Sequence, residues 1–175
     1  MSELNLIIGC MFSGKTTELL RIANRLNSIG QNVLLINYHE DVRYSSEDVK
    51  THDDYNISIK SHFVESLDKV DYSTYSVICI NEAQFFSNLR SFCIKALDDN
   101  KKLYVSGLDG DYKQEKFGEI LELIPLADKI TKLHAFCKLC GDCTPAYFTK
   151  RLTESTAQKL IGTEEYIPVC RKHLL

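Results

Sequence analysis

Gly9-Cys10-Met11-Phe12-Ser13-Gly14-Lys15-Thr16 decides how this chain folds. Its spacing is G-x-x-x-x-G-K-[ST], a loop that wraps backbone N–H groups around phosphates. The flanks supply the context that such a loop needs. Leu4-Asn5-Leu6-Ile7-Ile8 precedes it and is long enough for a buried strand. Leu19, Ile22, Ala23, Leu26 and Ile29 follow at helical spacing, with Gly30 as a stop. In a strand, glycine loop and helix, the helix start adds the positive end of its dipole to the loop's donors. The pattern predicts an ATP site over Gly9, Cys10, Met11, Phe12, Ser13, Gly14, Lys15, Thr16 and Thr17. Lys15 would bridge the β- and γ-phosphates, and the Thr16 hydroxyl would ligate Mg²⁺. A glycine turn that happens to precede a helix explains less of this context.

Outward from the loop, Val33-Leu34-Leu35-Ile36 reads as a second buried strand and Val77-Ile78-Cys79-Ile80 as a third. Leu103-Tyr104-Val105 reads as a fourth, ended by Gly107. Between the second and third, the polar stretch from Tyr38 to about Asn56 reads as a long loop of the kind that is often functional. Leu89, Phe92, Cys93, Ala96 and Leu97 form a helix face capped by Asn88. Ile120, Leu121, Leu123 and Ile124 suggest a short helix stopped by Pro125. The alternation predicts an α/β fold, a parallel sheet with helices on both faces and its ligand at the carboxyl ends of the strands. From Lys129 apolar runs shorten and cysteines pair. The expected division is a nucleotide-binding domain over residues 1–128 and a small metal-binding unit over 129–175.

Composition narrows the function. The chain has 175 residues, 44% hydrophobic and 26% charged, with a formal net charge of −3, which suits a soluble domain. No stretch is densely basic, so a nucleic acid polymer is a poor partner, whereas a small phosphorylated ligand needs only local charges. No apolar run reaches membrane-spanning length, and the start lacks the pattern of a signal peptide, so no membrane is expected. Seven cysteines without an export signal point to thiols or metal, and to the cytoplasm.

Ile80-Asn81-Glu82-Ala83-Gln84-Phe85-Phe86 follows the third strand directly. In such ATP sites a strand-end carboxylate holds Mg²⁺. Here that position is the neutral Asn81, whose amide oxygen can bond a metal-held water without neutralising charge. Glu82 is the remaining carboxylate. With a free pKa of about 4.3 it is ionised near neutrality and can accept a proton from an attacking hydroxyl. A plain surface charge at a strand end is the competing reading. Near the other end, Cys137-x-x-Cys140 and Cys170-x-x-His173 are two chelating pairs, together a Cys₃His set suited to a structural Zn²⁺. Such a site supplies on the order of 10–16 kcal/mol in small finger peptides. Cys140-x-x-Cys143 is also a permissible pair, and its use would displace His173. Cys10, Cys79 and Cys93 sit in apolar segments and read as small buried hydrophobes.

The residues at 9–19, Asp-Val-Arg-Tyr-Ser-Ser at 41–46, Thr-His-Asp at 51–53 and Asn-Glu-Ala-Gln-Phe-Phe at 81–86 form an ordered series. Gly-Leu-Asp-Gly-Asp-Tyr at 107–112, Phe-Gly at 117–118, Thr-Lys-Arg-Leu at 149–152 and the run from Tyr166 to His173 continue it. In this order they resemble the thymidine kinases of animal cytosol, poxviruses and many bacteria, over nearly the full length. The resemblance implies a RecA-like P-loop core and a small zinc domain carrying a lasso-like lid. It implies transfer of the ATP γ-phosphate to the 5′-hydroxyl of thymidine or deoxyuridine, a salvage route to DNA precursors. Glu82 matches the general base. Asp41 and Arg43 match residues near the deoxyribose and reacting phosphate, and Arg151 matches a second cation there. Gln84 falls with Asn81 in the ATP and Mg²⁺ motif. Met11, Phe85, Leu108, Tyr112, Phe117 and Thr149 match the pocket around the base. Tyr166 and the segment Gln158, Lys159, Leu160, Ile161 and Gly162 match the lid. Thymidine triphosphate as feedback inhibitor and a homotetramer are also implied. Asn81 stands where the family usually has Asp, Cys10 where proline is common and Tyr112 where phenylalanine is common, and the lid is slightly shorter. A motor-type P-loop ATPase and a nucleotide-binding regulator that has lost catalysis are the other readings, the latter supported by Asn81 alone.

Overall fold

A computed structural model of the chain describes residues 1–39, 59, 61–154, 157, 158 and 165–174. Its centre is a six-stranded parallel sheet in which chain order and spatial order differ. The strands are β1 (Glu3–Gly9), β2 (Val33–Tyr38), β3 (Ser61–Val64), β4 (Val77–Ile80), β5 (Lys102–Gly107) and β6 (Lys129–Leu133), arranged β3-β2-β4-β5-β1-β6. Every pairing is parallel, with Leu6 opposite both Val105 and Ile130, and Ile80 opposite both Ile36 and Val105.

The apolar runs are nearly continuous because both faces of the sheet are covered. On one face Leu4, Leu6, Ile8, Leu34, Ile36, Ile78, Ile80, Leu103 and Val105 pack against helix α2 (Leu89–Asp98) and a 3₁₀ stretch over Ile120–Leu126. On the other, Ile7, Val33, Leu35, Val77 and Cys79 pack against Leu19, Leu20 and Ala23 of helix α1 (Lys15–Ser28). Alternation at period two sorts the residues between these faces. α1 ends where expected: Gly30, at φ 82°, donates its N–H to the Asn27 carbonyl.

Three elements differ from the sequence reading. β3 is an additional strand. β6, at the point where the composition changes, still belongs to the large sheet and pairs with β1 from Asn5↔Lys129 to Gly9↔Leu133. Pro125 lies inside the 3₁₀ stretch instead of ending a helix. A 3₁₀ turn suits a segment this short, and the Ala127 N–H closes it on the Ile124 carbonyl.

Beyond β6 the chain forms two small antiparallel pairs, β7 (Ala135–Phe136) with β8 (Pro145–Ala146) and β9 (Phe148–Arg151) with β10 (Tyr166–Val169), then a single helical turn, α3 (Arg171–Leu174). Ala135, Cys137, Ala146, Val169 and Cys170 share a small apolar cluster with Cys10 of the phosphate loop. The Cys10 thiol donates to the Ala146 carbonyl at 3.3 Å. Cys10 therefore stitches the small unit to the loop. No described helix is long and apolar enough to cross a membrane.

Candidate active site

The phosphate loop leaves β1 through backbone that ordinary residues avoid. Gly9 has φ 151°, and a Cβ there would lie 2.3 Å from the Leu133 carbonyl oxygen. Gly14, at φ 80°, opens α1, and its carbonyl accepts the Glu18 N–H at 2.9 Å. Three bonds brace the loop: Ser13 Oγ and Lys15 Nζ donate to the Cys10 carbonyl at 2.8 and 2.7 Å, and Met11 N–H donates to Thr149 Oγ1 at 3.0 Å. Lys15 is only 8% exposed. A nearly buried ammonium on the glycine loop at a helix N-terminus suits a phosphate chain.

β4 delivers Asn81 and Glu82 beside this loop. Thr16 Oγ1 donates to Asn81 Oδ1 at 3.2 Å, and Asn81 Nδ2 donates to Asn37 Oδ1 at 3.1 Å. Glu82 is almost buried and sits in the left-handed region at φ 50°, ψ 42°. For a residue other than glycine this costs on the order of 1–3 kcal/mol, a strain typical of functional positions. Gln84 holds the carboxylate: its Nε2 donates to Glu82 Oε2 at 2.7 Å while its Oε1 accepts the Leu108 N–H at 3.0 Å. Two glycines leave room for it. A Cβ on Gly107 would come within 2.5 Å of Gln84 Oε1, and one on Gly118 within 2.1 Å of the Gln84 carbonyl oxygen. The Gln84 amide is thus directed at Glu82 and Leu108.

Aromatic rings gather around Phe85. Phe85 contacts Tyr38 at 5.1 Å between centroids and meets Phe117 edge-on at 5.4 Å. The Arg151 guanidinium lies 3.8 Å from the Tyr112 ring centroid and 5.0 Å from that of Tyr166. It donates to the Tyr166 hydroxyl and the Ala157 carbonyl, and to the Gln158 carbonyl at 3.3 Å. Gln158 Nε2 in turn donates to Asp111 Oδ2 at 2.8 Å and the Lys116 carbonyl at 3.1 Å. The other Asp111 oxygen accepts the N–H groups of Lys113 and Glu115. Arg151 and Asp111 therefore tie the 111–117 turn to the segment around Gln158. Leu108 and Met11 are half-buried, while Phe12 is exposed. Of what was singled out in the sequence, the long loop after His39 with the stretches at 41–46 and 51–53, Asp41 and Arg43 included, and Lys159, Leu160, Ile161 and Gly162 lie outside the described residues.

Sequence reasoning passed over Asn37, Asp111 and the positioning contacts of Gln84. Asn37 did carry a signal. Val33, Leu35 and Asn37 share one face of β2, so a polar side chain ends an apolar stripe at the ligand edge of the sheet.

At the far side of the loop, donor atoms of Cys137, Cys140, Cys170 and His173 all lie within 4.8 Å of one another. The Cys140 and Cys170 sulfurs are 3.8 Å apart, and His173 Nδ1 is 3.5 Å from each of the three sulfurs. A tetrahedron with Zn–S bonds of about 2.3 Å has edges of about 3.8 Å, so the donor set fits zinc. Cys143 is exposed and outside the cluster. Gly141, at φ 68°, closes the Cys-x-x-Cys turn with its N–H on the Cys137 carbonyl. Burial opposes ionising Cys137, yet hydrogen bonds from the backbone and His173 outweigh it and bring that thiol down to about 6. Burial and the adjacent sulfurs push Cys140 up to about 11. Burial alone pushes Cys79 up to about 12, and burial with Glu119 does the same to Cys93.

A family model described as thymidine kinase matches residues 2–174. A thymidine kinase of Oryza sativa subsp. japonica is 46% identical over 181 residues, covering 99% of this chain and 66% of its own length. A thymidine kinase of Myxoma virus (strain Uriarra) is 42% identical, with 97% of this chain and 94% of the viral protein covered. The cytosolic thymidine kinase of Gallus gallus is 36% identical, with 97% and 75% covered. A match that extends from the first strand to the cysteine cluster leaves one assignment: this chain belongs to the thymidine kinase family, a family of ATP-dependent deoxynucleoside kinases.

Proposed function

We propose that this chain transfers the γ-phosphate of ATP to the 5′-hydroxyl of thymidine or deoxyuridine, giving the 5′-monophosphate, with Glu82 as the proton acceptor. The observation that carries the reading is the place of Glu82. It follows β4 directly, next to the Asn81 amide that Thr16 reaches, with its carboxylate bonded by Gln84. The loop amides and Lys15 hold the β- and γ-phosphates. Phe85, Tyr112 and Phe117 offer flat apolar faces to an uncharged base. The 5′-hydroxyl then hydrogen-bonds to Glu82. As its oxygen bonds to the γ-phosphorus, the bond to the β–γ bridging oxygen breaks and ADP leaves with that electron pair. The hydroxyl proton passes to Glu82. Because the transition state is loose, orienting the hydroxyl is as important as removing its proton.

Thr16 and, through water, Asn81 would hold Mg²⁺, which supplies charge neutralisation at the phosphates when bound. Cys137, Cys140, Cys170 and His173 would hold a structural Zn²⁺ that fixes the small unit after β6. Arg151 serves as a second cation by the phosphates in this reading, and it is bonded to the Ala157 and Gln158 carbonyls. Asp41 and Arg43 near the sugar, inhibition by thymidine triphosphate, assembly as a tetramer and a cytoplasmic location belong to the proposal on the strength of the resemblance.

ADP release measured with and without thymidine tests the reaction. Release that depends strictly on thymidine supports the kinase. Release regardless of thymidine indicates an ATPase, and no release with ATP still bound indicates a regulator; either overturns the proposal.

A further inference from the structure

The strand-end amides form a pair of which the reaction as described uses Asn81 and gives Asn37 no role. Val33, Leu35 and Asn37 lie along one face of β2, and Val77 and Cys79 of β4 lead to Asn81 on the same face. Both apolar stripes thus end in asparagine at the start of α1. Asn37 and Asn81 are each 1% exposed, so neither amide is oriented by bulk water. The order of the bonds sets the direction. Asn81 gives its Nδ2 to Asn37 Oδ1, which leaves its own Oδ1 facing Thr16 Oγ1. An amide has one oxygen and one nitrogen, so the opposite orientation would present N–H groups to the place where a cation is needed. Asn37 Nδ2 has no partner among the described residues, so this amide has a donor left over.

We infer that Asn37 is a positioning residue that keeps the Asn81 oxygen directed at Thr16, so that a pair of neutral amides does by orientation what a carboxylate does by charge. A carboxylate at position 81 would present oxygen either way and would not need Asn37 for that purpose. The unpartnered Asn37 Nδ2 would then turn to meet it. The inference rests on the phosphate-site reading above, and its test reports on binding without turnover.

The readout is the melting temperature of the full-length protein with a non-hydrolysable ATP analogue, titrated with MgCl₂ in the absence of thymidine. Asn37→Leu should raise the Mg²⁺ concentration giving half the melting shift by roughly five-fold, the scale of one hydrogen bond. The shift given by the analogue without metal should stay the same. In the Asn81→Asp background, Asn37→Leu should move that midpoint by less than about two-fold. Asn37→Asp keeps an acceptor for Asn81 Nδ2 and should not raise the midpoint, which gives a second measurement should the leucine variant fold poorly. Equal increases in both backgrounds would make Asn37 a merely structural residue and overturn the inference. No increase in the Asn81 background, or an increase with Asn37→Asp, would also overturn it. No analogue-induced shift in the native protein would remove the phosphate-site reading itself, and the inference with it.

Discussion

A single glutamate carries the proposed chemistry, and its surroundings suit that task better than its sequence position reveals. Glu82 is held in left-handed backbone and bonded by an amide that is itself oriented by the Leu108 N–H. Glu82→Gln should lower kcat by about 10²–10⁴-fold and shift ATP affinity by less than two-fold, compared by steady-state kinetics and calorimetry. Gln84→Met should lower kcat by roughly ten-fold with thymidine and ATP still bound, because Glu82 loses the Gln84 donor and the Leu108 N–H its acceptor. Thiol chemistry gives an independent check on burial. In native protein at neutral pH a thiol alkylating reagent should modify the exposed Cys143 and leave Cys79 and Cys93 untouched, since their thiols are buried and pushed up to about 12. Fast modification of Cys79 would contradict the sheet as described. Glu82 was legible in the sequence because it follows an apolar strand beside a phosphate loop. Gln84 was legible as part of a motif, but not in its contacts. The bond that orients its amide comes from Leu108, 24 residues away, and only the fold brings that group near.

At the level of elements, the buried strands β1, β2, β4 and β5 could be read because two-sided burial leaves an uninterrupted apolar run. The two edge strands could not. β3 is Ser-His-Phe-Val and only half-buried, and β6 is Lys-Ile-Thr-Lys-Leu with mostly exposed residues. Polar residues at an edge hinder pairing with other chains, and they also erase the signal that marks a strand. Glycines near the site and away from it differ in what constrains them. Gly118 has φ 63° and faces the Gln84 carbonyl, whereas at Gly30, with φ 82°, a Cβ would meet nothing within 4 Å. Alanine at Gly30 should therefore cost only left-handed strain, about 1–2 kcal/mol, or about 2–8 °C in Tm at 2–4 °C per kcal/mol. Alanine at Gly118 should lower Tm further and reduce kcat, because the backbone of Gln84 must shift. Equal losses in thermal melts of the two variants would argue against the close packing around Gln84.

Across the whole molecule, the phosphate loop and the cysteine cluster are mechanically joined. Cys10 packs into the small apolar cluster, and Met11 is bonded to Thr149. The sequence pairs Cys137 with Cys140 and Cys170 with His173, and the fold gathers these four while leaving Cys143 exposed outside the cluster. Protein as purified should contain one zinc per chain, and Cys143→Ser should keep it while Cys137→Ser should lose it, read by metal analysis. Chelation should make the segment after Leu133 sensitive to protease and weaken thymidine binding, since α3, which carries His173, packs against β9 and β10. Retention of both properties in metal-free protein would contradict a structural role for the metal. The most direct test of the central claim is a crystal structure with thymidine, Mg²⁺ and a non-hydrolysable ATP analogue bound together. It should place a Glu82 oxygen within about 3.2 Å of the 5′-oxygen, or one water away, with that oxygen facing the γ-phosphate. A carboxylate beyond the reach of a bridging water would contradict the mechanism.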